Sequence, residues 1–361
     1  MDNVMVSVVV PIFSSGILLK ETIESILAQT FRDFEIILVD NNASETTRSV
    51  ALEYADAYPQ LIRIIHEPVQ GLPFARNTGI MAARGKYIAL LDDDDMMAPD
   101  RLMKQHAIAK TNPDASLVFC GRHHIDKKTG KTVEFNVIGP QSRWEGLQMF
   151  VREILSVKLP DRNYHLFYFT MPSTMFFEKA KAVNAGLFDI RLSPYVGEDD
   201  VFCMNMFREG DFILLPEPLT LYRTGGGSDD TRKKAERLYL MLSHSHKVFY
   251  VLWEKFGGEN GRIKKIFKKT AAYQLQGAAK HVLRYQGGTD LGRLLLCRAW
   301  IYSPLDPNHF KDFIKSLFPC RYHPRIFWFG QFRPETLPAE IDKSFVKGLF
   351  SVPPQWIKDS K

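Results

Sequence analysis

Four aspartates stand side by side at Asp92, Asp93, Asp94 and Asp95, inside the run IALLDDDDMMAPD from Ile88 to Asp100. Adjacent carboxylates repel one another, and the end of a strand gains no stability from that repulsion. A divalent cation resolves the conflict. Mg2+ and Mn2+ favour carboxylate oxygens and leave coordination positions open for phosphate. In an extended chain side chains alternate, so Asp92 and Asp94 are expected on one side and Asp93 and Asp95 on the other. The first pair is the candidate metal site. A solvated acidic loop is the ordinary meaning of a charge run, but this one follows directly on a buried strand. A second cluster, Glu198–Asp199–Asp200, follows Gly197. It precedes VFCMNMF, where such residues also suit the start of a helix.

Something must bring these groups together, and the first hundred residues supply a pattern for it. VSVVVPIF (6–13) is a short, β-branched apolar run ended by proline, which predicts a buried strand. Residues 17–29 place Leu18, Ile23, Ile26 and Leu27 at helical spacing. EIILVD (35–40) predicts a second buried strand. Asn41, Asn42 and Ser44 then offer turn and cap chemistry before a helix over 45–57. Strands are predicted at 61–66 and 86–91, with a helix over 74–83 between them. Strands alternating with helices mean a parallel α/β sheet, and ligands of such sheets gather beyond the carboxyl ends of the strands. Asp40 and the Asp92 cluster both fall there.

Composition narrows the class. Of 361 residues, 45% are hydrophobic and 24% charged, enough apolar matter for a real core and against disorder as the main state. The net charge of +6 predicts an anionic partner. No nucleic-acid recognition module accompanies it. The four cysteines (Cys120, Cys203, Cys297, Cys320) form no CxxC pair, which argues against a zinc site and fits a reducing compartment. The start of the chain has no basic n-region, and Val8–Val10 stops at Pro11, too short for a signal peptide. No stretch reaches the roughly 18 apolar residues that span a bilayer. A cytoplasmic protein is expected, with a peripheral place on the inner face of the membrane.

The succession VSVVVPIF, EIILVDNNASE, GLPFARNTGI and YIALLDDDD, followed by GLFDIRLSPYVGEDDVFCMNMFREG and LPEPLTLYR, resembles family 2 glycosyltransferases. The likeness covers about residues 5–228 and consists of six motifs in order. It implies an inverting enzyme of the GT-A fold with a mostly parallel central sheet. Such an enzyme moves a sugar from a nucleotide-diphosphate sugar, a UDP-sugar by preference, to a hydroxyl of a glycan or lipid-linked acceptor. Cell-surface polysaccharide or glycolipid synthesis is the implied setting. Pro11 and Phe13 would shape the nucleotide pocket, and Asp40 would accept from the imide N–H of the base. Capping of the following helix is the other reading of Asp40. Arg76 maps to a contact with the nucleotide or diphosphate; by residue type alone it is a surface ion pair. Asp92 and Asp93 map to donor binding, and Asp94 with Asp92 to a Mn2+ or Mg2+ ion. Asp199 maps to the general base that takes the acceptor proton. Asp200 competes for that role, and both could instead cap a helix.

One position departs from the pattern. Where many relatives carry a histidine after tyrosine, arginine and any residue, this chain has Tyr222–Arg223–Thr224 followed by Gly225. A catalytically silent nucleotide- or glycan-binding relative is therefore the alternative function. A pyrophosphorylase lacks support because PIFSSGILLK supplies no glycine-rich phosphate loop. A dinucleotide-binding oxidoreductase lacks it because no GxGxxG follows the first strand.

Residues 1–230 are read as the catalytic domain and 231–361 as a mainly helical extension, with segments near 232–256, 261–285 and 289–302. In the extension RIKKIFKK (Arg262–Lys269) sets Ile263, Ile266 and Phe267 on one face between lysines, a pattern suited to an anionic membrane surface or to an ordinary packed helix.

Overall fold

The computed structural model describes residues 4–126, 129–134, 171–192 and 198–224, together with Leu296. All but Leu296 belong to one compact unit, Met1–Glu153 with Leu159–Thr231. Gly225, the basic stretch Arg262–Lys269 and, Leu296 apart, the helices expected over 231–361 lie outside the described residues. Among those described, no helix is long and apolar enough to cross a membrane.

The first half alternates strand and helix as the apolar runs predict. β1 (Val6–Ile12) and β2 (Phe34–Asp40) bury all seven of their residues. That is why they read as unbroken apolar runs: a parallel strand is covered on both faces. Between them α1 (Leu18–Leu27) buries Leu19, Thr22, Ile23 and Ile26. Next, α2 (Glu45–Ala57) starts at Ser44, whose hydroxyl accepts the Thr47 N–H at 3.3 Å. β3 (Ile62–His66), α3 (Leu72–Ala82) and β4 (Tyr87–Leu90) complete this half. β1 runs parallel to both β2 and β4, with Ile12 opposite Asp40 and Val9 opposite Leu90. The carboxyl ends of β1, β2 and β4 therefore share one edge.

Helix α3 lies unusually close to the sheet. A Cβ added at Gly79 would stand 2.3 Å from Val9 Cγ1 and 2.9 Å from Val39 Cγ2. Only a residue without a side chain lets the helix backbone approach β1 and β2 this far.

The second half folds back on the first. Its elements are β5 (Met96–Met97), α4 (Arg101–Thr111), β6 (Ala115–Asp126), β7 (Thr132–Glu134), β8 (Met175–Glu178), α5 (Lys179–Asn184), α6 (Glu198–Glu209) and β9 (Asp211–Thr224). The sheet runs β3-β2-β1-β4-β8-β6-β9-β5, with β7 beside β6. β8 is antiparallel to β4 and β6, whereas β9 is parallel to β6. The antiparallel step matters for the site, because it sets the start of β8 beside the carboxyl end of β4.

Toward the opposite edge, Glu35 is buried and saturated. It accepts the Ser7 hydroxyl at 2.7 Å, the Arg84 N–H at 2.7 Å, and Arg63 Nε and Nη2 at 3.0 and 2.8 Å. Burial alone would raise its carboxyl, but these donors outweigh it and hold the group below the usual 4.5. A depressed folded-state value means the stabilisation is full above the unfolded value and fades as pH falls through the folded one. Glu35→Gln should lower stability at pH 7 by about 1–3 kcal/mol. Thermal melts across pH should show the gap to wild type closing as pH drops below about 4.

Candidate active site

The four aspartates do not continue β4. The Asp95 N–H donates to the Asp92 carbonyl at 3.1 Å and closes a tight turn. Strand alternation therefore does not run through this turn, and each acid has partners of its own. Asp92 Oδ1 accepts Arg76 Nη2 at 3.0 Å, and its N–H donates to Ser173 Oγ at 3.0 Å. Asp93 Oδ2 accepts the Phe13 N–H at 2.8 Å, and its carbonyl accepts Thr22 Oγ1. Asp94 is partly exposed, and its carbonyl accepts Arg223 Nη1 at 2.6 Å. Asp95 is fully buried, and its Oδ1 accepts the Arg223 N–H at 3.0 Å.

These environments separate the acids electrostatically. Burial pushes the Asp93 carboxyl up to about 6; the Phe13 N–H opposes the rise, and the charges of Asp94 and Asp92 add to it. Burial, together with the charges of Asp92 and Asp94, pushes Asp95 well above the usual carboxylate range.

Arg223 secures the turn from the end of β9. Besides its bonds to Asp95 and Asp94, its guanidinium pairs with the Glu21 carboxylate on α1. Sequence reasoning missed this residue because its partners lie up to 202 positions away. The signal lies in the LYR motif, Leu221–Arg223, at the end of β9.

Arg76 joins the two acidic segments. Its Nη2 holds Asp92, and its Nη1 donates to Glu198 Oε1 at 2.8 Å. The side chain is 2% exposed and its guanidinium lies 5.3 Å from the centre of the Phe188 ring. The guanidinium thus bridges two carboxylates of the chain itself. The next residue, Asn77, accepts the Phe188 N–H and donates to the Phe188 carbonyl, both at 2.9 Å. The ARN motif therefore grips the second half of the molecule with two consecutive side chains. Asn77 carries no functional expectation from the sequence, and Glu198 enters there only as a member of its acidic cluster.

Glu198, Asp199 and Asp200 form the first turn of α6, where the positive end of the helix favours carboxylates. Asp199 is partly exposed, and its charge adds to that of Asp92 and Glu198 in stabilising the Arg76 cation. The Asp200 side chain lies outside the described residues.

The proposed nucleotide side is built at the ends of β1 and β2. Pro11 is buried within β1, while the Phe13 ring is 49% exposed. The Phe13 carbonyl accepts the Ser44 N–H at 2.7 Å, so its backbone links the acid turn to the start of α2. Asp40 is buried at the end of β2 and accepts the Ala43 N–H at 2.8 Å. Arg48 from α2 also donates to it, Nε at 2.8 Å and Nη2 at 3.3 Å. Burial raises the Asp40 carboxyl, yet Arg48 and the Ala43 N–H prevail and hold it below its usual value.

Among the described residues no group of three or more His, Cys, Asp or Glu side chains forms a metal cage. Asp92 and Asp94 are partly exposed and offer hard oxygens, and Arg76 engages Asp92 through Oδ1. That donor set suits Mg2+ or Mn2+ completing its shell with phosphate oxygens, since such ions are commonly held by one or two carboxylates plus substrate.

Arg76→Met would leave Asp92 and Glu198 without their buried cation. Chemical denaturation should show a loss of about 3–5 kcal/mol, the usual cost of removing one partner of a buried ion pair. A loss below about 1 kcal/mol, typical of an exposed pair, would contradict the bridge.

The sequence profile of the family described as Glycosyl transferase family 2 matches residues 7–175. An uncharacterized glycosyltransferase of Bacillus subtilis, EpsJ, is 31% identical over 231 residues, 62% of either chain. Another from Methanocaldococcus jannaschii, MJ1057, is 39% identical over 137 residues, 37% of this chain and 47% of that one. This chain thus spans less than two thirds of the length of both relatives. Among solved structures, S. aureus TarS 1–349 in complex with UDP-GlcNAc superposes with a TM-score of 0.52 at 16% identity, covering 87% of this chain and 91% of that one. The mannosyltransferase PcManGT from Pyrobaculum calidifontis, in complex with GDP-Man and Mn2+, gives 0.52 at 16% identity, with 90% and 82% covered. These likenesses are of fold, the GT-A α/β architecture. The likeness to glycosyl transferase family 2 is thus carried by residues 7–175.

Proposed function

We propose that this protein is an inverting glycosyltransferase, moving a sugar from a nucleotide-diphosphate sugar to an acceptor hydroxyl. The observation that carries the reading is the Arg76 bridge, which ties the Asp92 turn to Glu198, the immediate neighbour of Asp199. An inverting displacement needs charge control at the departing diphosphate and a proton acceptor on the opposite face of the sugar. One buried guanidinium joins the segments suited to those two tasks.

Asp199 is assigned as the general base. It takes the acceptor proton as that oxygen bonds to C1 and the bond from C1 to the diphosphate oxygen breaks. Asp94, supported by Asp92, would hold Mg2+ or Mn2+ against the diphosphate, and such an ion when bound stabilises charge developing on the leaving group. Asp93 fixes the end of β1 through the Phe13 N–H, and so positions the nucleotide side relative to the metal side. The exposed Phe13 ring offers a stacking face, Pro11 backs it, and Asp40 accepts from the base.

The TarS structure contains UDP-GlcNAc and the PcManGT structure contains GDP-Man with Mn2+. These support a nucleotide-sugar donor here, and a UDP-sugar is preferred. The acceptor is assigned to the glycan or lipid-linked class of cell-surface polymer synthesis. The basic Arg262–Lys269 stretch would favour an anionic inner membrane face.

Asp94→Ala should abolish metal-dependent binding of UDP, measured calorimetrically with Mn2+ and with EDTA, while the circular dichroism spectrum stays that of wild type. Equal affinity of both proteins in Mn2+ would remove the metal assignment. Asp199→Asn should keep donor binding and lower sugar transfer by about 10²-fold or more. A loss confined to Asp200→Asn would move the base one residue on.

A further inference from the structure

Asp40 and Arg48 form a pair whose geometry limits what Asp40 can read. An ionised carboxylate has two oxygens and about four lone-pair sites. Oδ1 accepts the Ala43 N–H at 2.8 Å and Arg48 Nη2 at 3.3 Å, which fills it. Oδ2 accepts Arg48 Nε at 2.8 Å and retains one site. The Asp40 side chain is 10% exposed and that of Arg48 46%, so the pair sits where buried strand gives way to solvent. Asp40 lies opposite Ile12 in the β1–β2 register, one residue before Phe13.

The nucleobases differ in what they ask of such a carboxylate. Uracil and thymine present one N–H flanked by two carbonyls. Guanine presents two neighbouring donors, its ring N–H and its exocyclic amine, and a carboxylate reads them together with one oxygen for each. Adenine and cytosine present no imide N–H. With three sites occupied, Asp40 can accept one N–H but cannot match both guanine donors. The guanidinium has N–H donors to spare for a flanking carbonyl.

Taking Asp40 as the residue that faces the base, as proposed above, we infer that Arg48 sets base selectivity. It favours a uracil- or thymine-type nucleotide over a guanine one by leaving Asp40 a single open acceptor site. Arg48 is a specificity residue in this scheme and takes no part in the transfer step.

The test uses the full chain with Mn2+ and calorimetric titration of UDP and GDP. Wild type should bind UDP at least about tenfold more tightly than GDP, the scale set by one unmatched buried donor. Arg48→Met keeps much of the aliphatic stem and removes every donor. It should strengthen GDP and weaken UDP until their affinities lie within about threefold. Because Arg48 is half exposed, the variant should fold, and circular dichroism checks this. Equal UDP and GDP affinity in wild type would overturn the inference alone, as would a UDP-to-GDP ratio left unmoved by Arg48→Met. If neither nucleotide binds, or if Asp40→Asn binds both as wild type does, the reading of Asp40 falls and the inference with it.

Discussion

The site depends on one buried cation. Arg76 is 2% exposed and answers to two carboxylates from segments far apart in the chain, Asp92 after β4 and Glu198 at the head of α6. A buried guanidinium is costly unless its charge is matched and its N–H groups are bonded. Asp92 and Glu198 match the charge and each accept from one terminal nitrogen, Nε is left without a partner, and Asp199 adds a third attraction. The constraint is reciprocal, since the acidic turn and the helix start are each held in place by the charge they compensate.

That arrangement changes how the aspartate run is understood. Four adjacent acids suggest a concentrated negative patch that only a metal could relieve. In the fold the chain turns, and each acid meets a different partner. Burial raises the Asp93 and Asp95 carboxyls, so holding charge on these two costs more than on an exposed acid. Asp93 and Asp95 serve the scaffold through the backbone N–H groups of Phe13 and Arg223. Asp92, Asp93 and Asp94 all keep the partial exposure that a ligand would need.

The parallel half of the fold was legible in the sequence. Strands buried on both faces leave continuous apolar runs, and the turns between them carry Asn, Ser and Gly, so β1 to β4 and their helices fall within a few residues of their expected limits. The antiparallel half was not. Met96–Met97 is too short to show a period, and the place of β8 between β4 and β6 is decided by long-range pairing. The candidate site divides the same way. The acidic residues announced themselves, but their orientations did not, because Ser173 and Arg223 bond them from 81 to 129 positions away. Of the readings of Asp40 left open by residue type, capping goes to another residue: Ser44 caps α2, and Asp40 bonds the Ala43 N–H in the turn before it.

The close approach at Gly79 has a consequence for charge as well as for packing. Gly79 lies three residues after Arg76, on the same face of α3. The separation of that helix from Val9 and Val39 therefore determines how far the guanidinium extends past the sheet edge. A methyl group there would lift the helix and draw the cation back from both carboxylates at once. The glycine works as a ruler, and the distance it sets is measured out at the far end of an arginine side chain.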